Sequence, residues 1–238
     1  MKKITITLMT FIGILSCTNQ ENQLHVNGKI EGLKKGTLYL QSFQDSSFYN
    51  LDSISFKGSN EFNLNSQISE PQILALKLND KSKDEDFKRL YFFGDPNEAY
   101  TVNTTLDGFI VNQEVLTKSD NQQKLEEFNT MLKQFNDENL NLIATSLEKE
   151  NNKAIDPQKK DSLQKRYNNL LKRKYLYTVN FAINNKDLEV APYVMLAEAY
   201  DANVTYLDTV YKSLKPKIQK SKYGKQLSDL IKSIKKAD

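Results

Sequence analysis

Short apolar stretches broken by turn residues fill the first half of the chain, and longer stretches with helical spacing fill the second. Leu24, Val26 and Ile30, then residues 37–40 and 48–56, carry the composition of strands. Gly32 and Gly36 bracket a turn, and Lys57-Gly58-Ser59-Asn60 is predicted to close a hairpin. Phe62, Leu64 and Ile68 fall on one face of a period-two strand. Residues 73–78, 90–93, 100–104 and 109–116 continue the strand series. A charged loop at 80–86 and a turn at Gly94-Asp95-Pro96-Asn97 interrupt it. Many short strands at close spacing predict an antiparallel β-sandwich or open barrel.

The period changes after Ser119. Leu125, Phe128, Leu132, Phe135, Leu142 and Ile143 follow helical spacing. Asp156-Pro157 is a helix start, because Asp caps free amides and Pro has no N–H to lose at the first position. Leu163, Tyr167, Leu170, Leu171, Thr178 and Phe181 then share a face that ends at Asn184-Asn185. Pro192 is read as opening a third helix and Leu207, Val210 and Leu214 as a fourth; Ser221 caps a last one. Two long and three shorter helices with short connections predict an antiparallel bundle. The fold class is therefore α+β, with an N-terminal β-sandwich or open barrel followed by a C-terminal helical bundle. The expected domains are 24–118 for the sandwich and 119–238 for the helices.

The first residues change the picture. Lys2 and Lys3 precede the apolar run 4–15, and Ser16 is a small residue before a cleavage point. The run is too short to span a bilayer, which needs about 20 residues. Residues 1–16 are therefore read as a signal peptide. Ile14-Leu15-Ser16-Cys17 resembles the lipobox of bacterial lipoproteins, which implies acylation of the Cys17 thiol and cleavage just before it. Each buried methylene of an acyl chain contributes about 0.8 kcal/mol, so several chains on one residue give a lasting anchor. Residues 17–23 form the lipidated cysteine and a polar tether, about 20 Å long when extended. The expected location is the cell envelope, at the inner or outer membrane with the outer favoured.

Composition narrows the chemistry. Without Lys2 and Lys3 the 33 basic residues become 31, against 30 acidic ones, and the two signs are interspersed. That balance argues against nucleic-acid binding, which calls for a clustered basic excess. One Cys and one His leave no internal disulfide, no Cys-x-x-Cys redox pair and no cysteine zinc site. A catalytic triad would have to be built on His25, which reads as a polar strand residue. No catalytic residue, cofactor or metal ligand is therefore expected, and no ligand-binding residue is named by the pattern. Paired carboxylates suffice for glycoside chemistry; Asp95 and Asp107, near turns, are the generic candidates. Tyrosines on the helices would suit a partner-binding groove, although Tyr at helical spacing is more often core or core rim.

Gly28-Lys29-Ile30-Glu31-Gly32-Leu33 and Gly36-Thr37-Leu38-Tyr39-Leu40 resemble the opening of a domain of unknown function common in lipoproteins of Bacteroidota. Leu51-Asp52-Ser53, Phe62 and Glu70-Pro71 fit its later strands. Val190-Ala191-Pro192-Tyr193-Val194 and Ser221-Lys222-Tyr223-Gly224-Lys225 are similar to its helical part. In that family the module often precedes a thioredoxin-like domain, giving membrane-anchored thiol:disulfide oxidoreductases. This chain stops at Asp238, about where such a domain would begin, and holds no Cys-x-x-Cys. The resemblance thus carries over no functional residue beyond Cys17. The expected function is a membrane-anchored, non-catalytic binding or accessory module with an envelope protein as partner. The alternative is a non-catalytic helper of a separately encoded thioredoxin-like protein.

Overall fold

A computed structural model describes residues 22–44, 46–82, 88–147 and 157–237. Residues 1–16, read above as a signal peptide, and Cys17 with the rest of the expected tether before Asn22 lie outside these residues, as do Asp156 and most of the charged loop. Eight strands and six helices follow one another along the described chain, the strands first.

The strands are β1 (Gln23–Glu31), β2 (Lys35–Gln44), β3 (Ser47–Lys57), β4 (Glu61–Gln67), β5 (Gln72–Asn79), β6 (Arg89–Gly94), β7 (Ala99–Thr105) and β8 (Glu114–Leu116). They form two four-stranded sheets, ordered β4-β1-β7-β8 and β3-β2-β5-β6. Pairing is antiparallel except between β1 and β7, which run parallel. The alternation read from the sequence places one set of side chains inside: Leu24, Val26 and Leu64 from the first sheet meet Leu38, Leu40, Leu76 and Phe92 from the second.

Two expectations need correction. The Lys57–Asn60 turn closes no hairpin: β3 pairs with β2 and β4 with β1, so the turn carries the chain from one sheet to the other. Asp52 links that side instead, its Oδ2 accepting the Asn65 amide of β4 at 2.8 Å. Residues 109–116 are mostly turn, and only Glu114–Leu116 pairs as a strand. Phe109 is buried in the sandwich core, and the Thr104 hydroxyl donates to its carbonyl at 3.1 Å. A buried aromatic on a folded-back loop mimics a strand residue in sequence.

The helices are α1 (Asp120–Leu147), α2 (Pro157–Asn184), α3 (Val190–Glu198), α4 (Val204–Ser213), α5 (Pro216–Gln219) and α6 (Lys222–Ala237). α3 starts two residues before Pro192, which sits in the first turn where a missing N–H costs nothing. The short α5, which begins on Pro216, adds a sixth helix to the five that the periodicity predicts. Ser221 does cap α6: its hydroxyl accepts the Gly224 amide at 3.3 Å.

The helices pack against the outer face of the second sheet at β5 and β6. Leu74, Leu76 and Leu78 of β5 face the sandwich core, while Ile73 packs against the helical core. β6 divides likewise, with Phe92 inside the sandwich and Phe93 fully buried among helical residues. Phe93 meets Tyr193 of α3 and Tyr223 of α6 edge-on, at 5.8 and 5.9 Å between ring centres. Burying a side chain of this size is worth about 1.5–3 kcal/mol. No helix among the described residues is long and apolar enough to cross a membrane.

Candidate functional site

Among the described residues, two of the larger clefts open where the sandwich meets the helices. The first, about 600 Å³, lies at the end of the sandwich beside the β6–β7 turn and the starts of α1 and α3. Ser119 builds one wall as the cap of α1, its hydroxyl accepting the Gln122 amide at 3.0 Å and bonding to Asp95 Oδ2. In a capping box the Gln122 side chain would reach back to the cap. Here its Oε1 accepts the Phe93 amide of β6 at 2.7 Å and ties the helix to the sheet.

Asn121 is the centre of this cleft. Its Nδ2 donates to Asp95 Oδ1 at 2.9 Å and to Glu189 Oε2 at 3.1 Å, and its Oδ1 accepts the Val190 amide at 2.9 Å. One side chain thus joins the β6–β7 turn to the start of α3. Burial raises the Asp95 carboxyl above its ordinary 3.8; bonds from Ser119 and Asn121 work against the rise, and the negative charges of Glu189 and Glu98 add to it. Glu189 is buried, with the Lys217 ammonium 4.0 Å away.

The second cleft, about 430 Å³, is aromatic. Phe43 and Phe48, at the facing ends of β2 and β3, pack 5.0 Å apart, and Tyr91 of β6 stands opposite. Tyr193 and Tyr223 form the helical wall, 5.2 Å apart. Phe43, Phe48 and Tyr91 remain 48%, 36% and 48% exposed, high for large apolar rings on adjoining elements. The Arg89 guanidinium lies 4.2 Å over the Phe48 ring.

The floor of this cleft follows from a break in the sheet. The β2–β5 ladder ends at the Ser42–Leu74 pair. Beyond it the first two residues of α6 satisfy the backbone groups left over: the Tyr223 hydroxyl accepts the Ile73 amide at 2.8 Å, and Lys222 Nζ donates to the Phe43 carbonyl at 3.2 Å. Lys222 Nζ also donates to Gln72 Oε1 at 2.8 Å, and Glu70 Oε2 accepts the Lys222 amide at 2.7 Å. Desolvation lowers the Lys222 ammonium below its ordinary 10.5, with the Glu70 charge opposing the change.

The residues singled out from sequence are dispersed. Cys17 lies outside the described residues. His25 is exposed on β1, its Nδ1 2.6 Å from Asn65 Oδ1. Asp95 lines the polar cleft, whereas Asp107 is exposed on the turn after β7 and lines neither cleft. Asn121 brings Glu189 close to Asp95, a second acid that the sequence offered no reason to place there. Among the described residues no group of three or more His, Cys, Asp or Glu is placed to hold a metal ion. The helical tyrosines are the one sequence signal that pointed toward the aromatic cleft, through Tyr193 and Tyr223.

A search of curated proteins finds no match to the chain. Residues 24–128, which are the sandwich and the first turns of α1, match the model of a family described as a domain of unknown function (DUF4369).

Proposed function

We propose that the protein is a lipoprotein of the cell envelope, held to a membrane by acyl chains on Cys17, and that it acts as a non-catalytic binding module through the aromatic cleft at the junction of sandwich and helices. The observation that carries the binding reading is the cleft rim. Three large rings, Phe43, Phe48 and Tyr91, stay a third to a half in water around one concavity. Leaving them there forgoes hydrophobic stabilisation that a ligand or partner surface would recover. The anchor reading rests on the Ile14-Leu15-Ser16-Cys17 pattern behind a short apolar run.

The polar cleft supports a non-catalytic role. Both oxygens of Asp95 are engaged, by Ser119 and Asn121, and those donors also hold the α1 and α3 starts in place. The carboxylates act there as a staple between domains.

Fractionation of cells and recovery of bound envelope proteins test the two halves together. Cys17→Ala is expected to fold and leave the membrane fraction, and Tyr91→Ser to stay in the membrane but lose its bound protein. A Cys17→Ala protein that remains in washed membranes sinks the anchor. A Tyr91→Ser protein that keeps every partner of the wild type sinks the cleft.

A further inference from the structure

Lys222 is the unusual group in the aromatic cleft. Its ammonium is held by two neutral acceptors, the Phe43 carbonyl and Gln72 Oε1, and no carboxylate among the described residues lies within ion-pair distance of it. Glu70, the nearest acid that acts on it, spends one oxygen on the Lys222 backbone amide. A half-buried cation with no carboxylate bonded to it is costly. Two of its three N–H donors are taken by the Phe43 carbonyl and Gln72, and the Tyr223 ring centre lies 5.7 Å from Nζ, so an anion entering the cleft meets a donor with no oxygen acceptor of its own among the described residues. The rings around it supply an apolar wall, while Gln226 is the one amide side chain lining the space.

Building on the binding reading above, we propose that this cleft takes the carboxyl-terminal aromatic residue of a peptide, the carboxylate on Lys222 Nζ and the side chain among Phe43, Phe48, Tyr91 and Tyr193. A terminal aromatic residue carries its ring and its carboxylate only a few bonds apart, matching a cation set directly beside rings. About 430 Å³ lies toward the small end of the 300–1,000 Å³ typical of ligand pockets, enough for a chain end. An acidic sugar fits less well, because its hydroxyls need several polar partners and the cleft is lined mostly by rings and Ile73. A fatty acid fits less well too, since rings a third to a half exposed would leave its acyl chain wet.

The chain contains no Trp, so a Trp-bearing probe reports its own binding without background. The test titrates protein purified from its own cells with acetyl-Ala-Ala-Trp, either as the free acid or as the terminal amide, and follows indole emission. The free acid is expected to bind saturably and at least about tenfold more tightly than the amide, the ratio of about 1.4 kcal/mol. Lys222→Met should bring the free acid down to the amide's affinity and leave the amide unchanged. Lys222→Arg should keep the preference, which guards against a variant that merely misfolds. Tyr91→Ser should weaken both probes. Equal affinity of acid and amide, no saturable binding of either, or displacement of the probe by laurate or oligoglucuronate at lower concentration than by acetyl-Ala-Ala-Phe overturns the proposal. If the peptides fail while Tyr91→Ser still strips an envelope partner, the ligand class falls and the binding reading stands.

Discussion

The Ile73 amide donates to the Tyr223 hydroxyl at 2.8 Å, joining β5 to α6 across 150 positions of sequence. It does so where β2 has left β5, so the helix completes the sheet's hydrogen bonding. Removing the acceptor leaves a partly buried N–H unpaired, which costs about 1–3 kcal/mol. Tyr223→Phe keeps the ring against Phe93 and should lower stability by that amount, read as a drop in the urea midpoint at unchanged slope. A midpoint equal to the wild type's would mean that water replaces the hydroxyl without loss.

Asn121 serves three partners on two other elements. Asn121→Ala orphans the Val190 amide and strips a donor from two carboxylates, for a loss on the order of 3 kcal/mol. Asn121→Asp should be worse, because it sets a third carboxylate beside Asp95 and Glu189. Thermal melts of the two variants give the order directly.

The Asp95 carboxyl titrates above 3.8 in the folded chain, first because of burial. The folded state therefore holds that proton more tightly than the unfolded state. Stability from this group is present at low pH and declines as pH rises from the ordinary value through the raised one. Asp95→Asn keeps an acceptor for Asn121 and removes the charge. It should be more stable than the wild type at neutral pH, with the difference closing under acid conditions. An advantage independent of pH would assign it to packing.

Asp80 behaves in the opposite sense. Burial alone would raise its carboxyl, but bonds from Lys88 and Ser82 outweigh that and hold it at about 2. Its contribution is complete above 3.8 and is lost as pH falls through about 2. The Lys88 ammonium, 2.7 Å from Asp80, clips together the two ends of the charged loop. Asp80→Asn should cost on the order of 1 kcal/mol at neutral pH and nothing in strong acid.

Gly28 pairs with Val102 in the parallel ladder at φ +155°, and a Cβ there would overlap the Val102 carbonyl. Gly28→Ala should destabilise by more than about 2 kcal/mol, since both strain and backbone displacement oppose it. Chemical denaturation checks this.

Legibility in sequence followed the range of the interaction. The alternation of Leu24 with Val26 and of Phe62 with Leu64 marked one face of each strand, because a sandwich buries that face alone. The Ser221 cap was readable for the same reason, being settled within four residues. The continuous apolar run of β5 carried a further message: Ile73 and Leu74 face opposite cores because helices pack on the outer side of β5 and β6. Phe109 misled because burial is a tertiary outcome that a loop residue can share. Of the aromatic cleft only the helical tyrosines gave a signal, through Tyr193 and Tyr223; its other walls come from positions 43 to 91 and no local period links them. Asp95 was readable as an acid near a turn, but not as the neighbour of Glu189, which Asn121 brings to it.

The most direct test of the cleft as a binding site is photo-crosslinking in intact cells, with a photoreactive residue placed at Tyr91 and, as control, at the exposed Val111 outside the cleft. A discrete adduct from position 91, absent from position 111 and lost when Phe48 is also changed to Ser, is the predicted result. Equal silence at the two positions, or the same adducts from both, would contradict it.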